Sequence, residues 1–205
     1  MPELAAEPDA SVLAAEARKL IEMHNGEWDS LHAFATLHWD GEKFSVGTWC
    51  AIDTSFDAAD YFAIMRKAAF ERLREEPGNP PYAYALQIEA HVSSLPKEAT
   101  AEERAGMTAD MRAKKLHLRP DARECAEAWV ADIHGRLWSA RKFRDGDAIE
   151  ERHTPASAPA PGPAVFTGPL LTVARATGIL AWGLDPTPEE EQVFSAAARK
   201  GKTGG

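Results

Sequence analysis

Cysteine is scarce in this sequence, and long apolar runs are missing from it. Cys50 and Cys125 are the two cysteines among 205 residues, so no disulfide framework can be inferred and a reducing compartment fits better than secretion. No apolar run approaches the ~20 residues of a membrane-spanning helix. The first ten residues, MPELAAEPDA, are acidic where a signal peptide is basic and then apolar. We therefore expect a cytoplasmic protein that is soluble and has no membrane partner.

Positive charge is also in short supply. The chain has 23 Lys and Arg against 32 Asp and Glu, which gives a net charge of −9. A general nucleic-acid-binding protein needs a cationic face to neutralise phosphates, so this class is disfavoured. One local basic cluster is present, formed by Arg136, Arg141, Lys142 and Arg144.

Phosphate-binding and nucleophile motifs are absent. The sequence contains no Gly-x-Gly-x-x-Gly, no Gly-x4-Gly-Lys-Ser/Thr and no Gly-x-Ser-x-Gly. We therefore expect no dinucleotide cofactor and no nucleotide bound through a P-loop. No cofactor of another kind is indicated either.

The clearest local pattern is a β-hairpin around Asp40-Gly41. Two apolar-rich runs flank this pair, and Asp-Gly favours a two-residue type I′ turn. With Trp39 opposite Glu42, one face is apolar and the other is half polar and half aromatic. The apolar face pairs Leu37 with Phe44, Ala35 with Val46, Ala33 with Thr48 and Leu31 with Cys50. The second face pairs His38 with Lys43, Thr36 with Ser45, Phe34 with Gly47 and His32 with Trp49.

Other segments show helix or strand periodicity. Helical spacing predicts helices over 11–24 and from Thr54 or Ser55 to about 75. A capping box at Thr100 and Glu103 begins a charged helix that ends near 115. Alternation predicts a strand over 82–92. Its two faces would hold Tyr82, Tyr84, Leu86, Ile88, Ala90 and Val92 on one side and Ala83, Gln87, Glu89 and His91 on the other.

Residues 125–144 fit two structures. A second hairpin about His134-Gly135 would pair Ala131 with Trp138, Trp129 with Ala140 and Glu127 with Lys142. A helix would instead place Ala126, Trp129, Val130 and Ile133 in one stripe. The glycine in the middle of the segment favours the hairpin.

The C-terminal part divides into a linker and helices. Residues 154–163 form a Pro/Ala-rich connector. Thr167 is expected to cap a helix with Pro169 in its first turn. A capping box at 187–190 begins a last short helix with Val193, Phe194 and Ala197, and 201–205 is a frayed tail. We therefore divide the chain into a core domain over 1–153, the linker 154–163 and a helical segment over 164–205 that packs on the core.

This order of elements predicts an α+β fold with a single antiparallel sheet of about five strands packed with helices. The topology resembles that of profilin, longin and roadblock domains, which implies a platform for protein contacts and dimers. In residues, the segments LHAFATLHWDGEKFSVGTWCAID, ADIHGRLWSARK and LLTVARATGILAWGL are similar to uncharacterised proteins of actinobacterial phages. That resemblance implies a phage protein in the host cytoplasm and carries no functional residue.

Glu89 and His91 are the candidate residues for chemistry. Strand alternation places them on one face with Gln87, where His32 or His38 of a neighbouring strand would complete an acid–base site. No metal is expected, because His32 and His38 lie about 20 Å apart along one strand. The alternative is a solvated or helix-covered polar face.

Aromatic residues on the second hairpin face are the candidate contact residues. His32, Phe34 and Trp49 would form an exposed patch if helices cover one side of the sheet, and a second core if they cover both. Trp138, Arg136 and Arg141 extend this patch. The resulting hypothesis is a non-enzymatic interaction protein, a phage accessory protein that binds itself as a homodimer or binds a host protein. A small enzyme or nucleotide-binding protein and a minor virion component are the alternatives.

Overall fold

The chain has an α+β fold built on one antiparallel sheet of six strands. This computed structural model describes residues 7–24, 26–29, 32–54, 56, 58–113, 115–156 and 164–191. The strands are β1 (His32–Trp39), β2 (Phe44–Ile52), β3 (Ala83–Val92), β4 (Arg123–Asp132), β5 (Leu137–Phe143) and β6 (Ile149–Thr154). The α-helices are α1 (Ala10–Met23), α2 (Ala58–Glu75), α3 (Ala101–Arg112) and α4 (Ala164–Ala181), and a 3-10 turn spans Leu116–Leu118. The strand order β2-β1-β3-β4-β5-β6 makes β2 and β6 the edges.

Helices pack on both faces of the sheet, so the protein has two apolar cores. We call the side under α1 the α1 face and the opposite side the α2/α4 face. Strand side chains alternate, so each inner strand contributes to both cores. In β3, Ala83 and Ala85 lie on the α1 face, whereas Tyr84 and Leu86 lie on the α2/α4 face, which confirms the predicted alternation. Tyr82 precedes β3 and packs with the α1-face core, contrary to the expectation.

The β1–β2 hairpin is present, but its predicted register is wrong. Trp39 pairs with Phe44 and Leu37 pairs with Val46, so the loop contains the four residues 40–43. A shift of two positions keeps the same residues on each face near the turn, because side chains alternate with a period of two. The face assignment therefore holds beside the loop and changes only further along β2.

The side chain of Asp40 explains the longer loop. Its Oδ1 accepts hydrogen bonds from the backbone N–H groups of Glu42 (2.9 Å) and Lys43 (2.8 Å). These two bonds hold the pKa of Asp40 below its ordinary value. Gly41 has a φ of +101°, but Asp40 does not have the positive φ that a type I′ turn needs at both central residues. Asp40 therefore stabilises the loop by accepting these hydrogen bonds with its carboxylate and not by adopting the backbone angles of a type I′ turn.

The β4–β5 hairpin is confirmed over the helical alternative, with a register one residue from the predicted one. Glu127 pairs with Arg141, not with Lys142. Residues 133–135 form the loop, and Gly135 has a φ of +83°, as in three-residue hairpin loops that end on a left-handed residue. A shift of one position exchanges the faces of one strand relative to its partner, so the predicted face pairing is wrong.

The first three predicted helices are confirmed, and the start of α4 is corrected. The capping box of α3 is present, with Thr100 and Glu103 bonded reciprocally. α4 begins at Ala164, so Thr167 lies inside the helix with its side chain fully buried and is not its cap. Pro169 is likewise inside α4. Packing of this apolar helix on the sheet outweighs the local preference of Pro for a first turn.

Strand β6 was not predicted, and it raises the strand number from about five to six. Its sequence IEERHT is short and mostly ionisable, so it lacks the apolar alternation of the inner strands. It is held by antiparallel pairing with β5. Its place in the sheet is therefore set by a neighbour and not by its own composition.

Several predictions lie outside the described residues. They concern Ser55 as a cap, most of the linker 154–163, the helix with Val193, Phe194 and Ala197, and the tail 201–205. Before that region, Thr187 N–H donates to Glu190 Oε2 at 2.8 Å and Glu190 N–H donates to Thr187 Oγ1 at 3.3 Å, which confirms the capping box at 187–190. The predicted Leu31–Cys50 pair is wrong, because Cys50 pairs with Phe34 and packs against the α2/α4-face core.

Candidate interaction surface

The two residues considered for catalysis have separate partners. Glu89 Oε1 lies 2.8 Å from His24 Nε2 at the end of α1, and Glu89 Oε2 accepts a hydrogen bond from the N–H of Asp29 at 2.7 Å. His91 is exposed, and its ring packs edge-on against His117 with 5.8 Å between centroids. The contacts of Glu89 therefore join α1 and the loop after it to the sheet.

His32, the third residue of the candidate acid–base site, lies on the opposite side of the sheet. Its Nδ1 is hydrogen-bonded to the hydroxyl of Tyr61 in α2. Burial lowers the pKa of His32, so the imidazole is neutral at neutral pH. The side chains of Glu89 and Gln87 point to the α1 face, so the His32 imidazole is hydrogen-bonded to the backbone of Glu89 and not to its carboxylate.

An acidic cluster lies beside Glu89. Carboxylate oxygens of Asp29, Glu89 and Glu124 lie within 4.8 Å of one another, an arrangement that can hold a hard cation. The protein itself places a positive charge there, because Arg144 Nη1 lies 2.8 Å from Glu124 and 3.9 Å from Asp29. We interpret this group as an ion-pair network that fixes the loop after α1.

Three of the predicted contact residues are in the interior. Phe34 is fully buried in the α2/α4-face core, and Trp138 is 2% exposed in the α1-face core. His32 is buried as well. Helices cover these side chains, so they belong to the protein interior and do not form the exposed patch that was one of the two alternatives.

The two arginines of the predicted patch are bound to buried carboxylates. Arg136 Nε donates to Asp132 Oδ2 at 2.6 Å. Arg141 Nη2 donates to both carboxylate oxygens of Glu127, at 2.8 and 2.9 Å. Burial raises the pKa of Glu127, and the Arg141 guanidinium opposes that shift. These guanidinium groups therefore neutralise internal charge.

Trp49 is the predicted contact residue that stays at the surface. Its side chain is 46% exposed, and that of Val46 in the same strand is 56% exposed. Both lie on the α1 face, since Trp49 pairs with Ala35 and Val46 pairs with Leu37. Helix α1 packs over β4 and β5 and so leaves this part of the face uncovered. We call Val46 and Trp49 the β2 patch.

A β-bulge creates the β2 patch. Residues three apart in a regular strand point to opposite faces, but the bulge adds one residue to β2 and brings Val46 and Trp49 to the same face. At the bulge, the Thr48 N–H donates to Thr36 Oγ1 at 2.8 Å. Gly47 packs so closely on His38 that a Cβ there would lie 2.2 Å from Nε2. Periodicity alone missed the patch, because it assumes an unbroken alternation.

Strand β2 carries no charge along its whole length. Its nine residues, FSVGTWCAI, include no Lys, Arg, Asp, Glu or Pro, although 27% of the chain is charged. The strand is an edge of the sheet, so its outer side has no strand partner among the described residues. Edge strands usually carry charges or prolines that prevent pairing with another chain. A long uncharged edge beside an exposed apolar patch is a surface suited to strand addition.

Comparisons of the chain with protein-family models, curated proteins and solved structures find no match. Among the helices in the described ranges, none combines the length and the apolar character needed to cross a membrane. The geometry of the described residues is therefore the basis on which a function can be assigned.

Proposed function

We propose that this chain is a non-enzymatic interaction protein that forms a homodimer through β2. The two β2 strands pair antiparallel about a two-fold axis, which joins the two six-stranded sheets into one. The observation that carries the proposal is the uncharged edge with Val46 and Trp49 exposed beside it.

Self-pairing of β2 is favourable for physical reasons. An antiparallel strand pair is compatible with two-fold symmetry, so the same backbone groups donate and accept in both copies. The net charge of −9 opposes association in general, but none of it is located on β2. The two β2 patches also lose exposed apolar surface on contact. An interface of one strand pair is small, so we expect a dissociation constant on the order of 10 μM.

The proposal extends to the setting of the protein. Cys50 and Cys125 are both free thiols, which suits the cytoplasm, and the resemblance to phage-encoded proteins supports the proposal of an accessory protein in a host cell. A strand of a host protein is the alternative occupant of the same edge. Both partners require β2 to be accessible.

Sedimentation velocity from about 1 to 100 μM tests the homodimer. We expect the unmodified chain to shift from monomer to dimer with concentration, and Trp49→Lys to stay monomeric because it places a charge on the edge. Met111→Lys is the matched control, since Met111 is 50% exposed and lies in α3, away from β2.

Thermal unfolding of the two variants is the second measurement. Both altered side chains are about half exposed, so we expect each variant to keep its fold. A chain that is monomeric at 100 μM, or a Trp49→Lys variant that dimerises like the unmodified chain, contradicts the proposed homodimer.

A further inference from the structure

An apolar groove runs between α2 and α4, on the side of these helices that faces away from the sheet. Phe62, Phe70 and Leu73 line it from α2, and Val173 and Leu180 line it from α4. Its volume is about 140 Å³. Two of these residues are strongly exposed at the groove mouth, Phe70 at 51% and Leu180 at 61%. The groove is distinct from the β2 edge, so its properties do not depend on dimer formation.

Two threonines line the groove, Thr172 at its rim and the buried Thr177 at its floor, and the hydroxyl protons of both are already engaged. The hydroxyl of Thr172 donates to the carbonyl of Gly168 at 2.9 Å. The hydroxyl of Thr177 donates to the carbonyl of Val173 at 3.1 Å and lies 2.6 Å from the hydroxyl of Tyr84. A group that enters the groove therefore gains burial and receives no hydrogen bond donated by these threonines, which favours hydrocarbon over a hydrogen-bond acceptor.

Among the described residues that line the groove, Arg66 is the cation. Phe62, Arg66 and Phe70 follow one another at intervals of four residues, so they form a single stripe along α2. The Arg66 guanidinium lies 5.9 Å from the centre of the Phe62 ring. It makes no ion pair with a carboxylate of the described residues, whereas Arg72 on the same helix is paired with Glu76 at 2.7 Å.

We infer that the groove binds a small amphiphilic carboxylate, with its alkyl chain between the helices and its carboxylate on Arg66. A cavity of roughly 150 Å³ holds a benzene-sized ligand, so the buried part has about six to eight carbons. The guanidinium supplies charge-assisted hydrogen bonds to a carboxylate at the mouth. A neutral or cationic amphiphile of the same length lacks this interaction.

Calorimetric titration with octanoate, octanol and octyltrimethylammonium tests the inference. The net charge of −9 by itself favours the cation, so a preference for octanoate reports the local effect of Arg66. We expect octanoate to bind about tenfold more tightly than octanol, and octyltrimethylammonium to bind more weakly than both. Equal affinities for the three probes would overturn the inference.

Two kinds of variant locate the site. Arg66→Gln should lower octanoate affinity about tenfold and leave octanol unchanged, while Arg74→Gln, an exposed arginine of α2 outside the groove lining, should change neither. Thr172→Trp, at an exposed position on the rim, should fill the groove and weaken all binding. Octanoate affinity that survives both Arg66→Gln and Thr172→Trp would show that the ligand binds elsewhere.

Discussion

Strands β2 and β6 form the two edges of one sheet, and they differ in charge. β6 carries Glu150, Glu151, Arg152 and His153 within six residues, whereas β2 carries no charged residue within nine. Charged edges resist pairing with another chain, because association would bury or juxtapose the charges. This difference in charge is the reason that the proposed strand addition is assigned to β2 and not to β6.

The two edges are also tied differently to the rest of the protein. Glu151 of β6 accepts a hydrogen bond from Arg18 of α1 at 2.7 Å, and the ring of His153 stacks on Trp138 at 4.8 Å. β2 has a bulge in its pairing with β1, and that bulge brings the exposed Trp49 to the α1 face. The exposure of side chains on β2 therefore depends on a backbone irregularity, whereas β6 is tied to the protein by contacts of its ionisable side chains.

The neighbouring strands continue this contrast. Next to β6, the β4–β5 pair contains the buried Glu127–Arg141 ion pair. Next to β2, β1 contains two buried histidines, His32 and His38. One half of the sheet thus depends on paired charges, and the other half depends on polar groups that stay neutral.

We expect the largest loss of stability in the half of the sheet that contains β4, β5 and β6. Arg141→Met leaves the Glu127 carboxylate, a 5% exposed residue, without its partner, so we expect the free energy of unfolding to fall by about 3 kcal/mol. Urea denaturation measures it. Arg123→Met is the control, because Arg123 and Asp145 form an exposed pair that should contribute less than about 1 kcal/mol. If the two variants lose the same free energy of unfolding, burial of the Glu127–Arg141 pair does not determine its contribution to stability.

The next effect is at the bulge in β2. Gly47→Ala places a Cβ against His38 and Thr36, so we expect a loss of about 2 kcal/mol in the free energy of unfolding. Gly146→Ala is the control, since nothing lies within 4 Å of its added Cβ. If Gly47→Ala is as stable as the control, close packing at the bulge does not define the edge.

The half of the sheet that contains β1 and β2 should make the free energy of unfolding depend on pH. Burial lowers the pKa of both His32 and His38 from the ordinary 6.5, so the folded protein binds fewer protons than the unfolded chain as pH falls below that value. Stability should therefore decrease from pH 7 to pH 5. His32→Gln removes one titrating group and should make this decrease smaller, so an undiminished decrease in that variant would contradict the prediction.

The smallest effect on stability is expected at β6. Changing Glu150, Glu151 and Arg152 together to Thr should alter the free energy of unfolding by less than about 1 kcal/mol, because these side chains are exposed. It should also create a second uncharged edge, so association becomes open-ended and sedimentation shows species larger than a dimer. Glu98→Thr, an exposed change with the same net effect on charge, is the control. Identical sedimentation of the two variants would mean that edge charge does not control association.

Much of the secondary structure was predictable because it depends on neighbours in sequence. The capping box at Thr100 and the alternation in β3 each report a local preference, and the structure confirms both. Registers were less predictable. The Asp40 carboxylate closes a four-residue loop where Asp-Gly predicts two residues, and this choice depends on hydrogen bonds that a pattern of residue types does not contain.

The candidate surface shows what depends on the whole fold. Sequence by itself determined that β2 is uncharged and contains Trp49, since composition is a property of the chain. Tertiary structure decided that Phe34 is buried and Trp49 exposed, because burial depends on where α1, α2 and α4 pack. It also decided that β2 is an edge, because strand order is set by long-range pairing between β1 and β3, whose residues lie about 50 positions apart in the sequence.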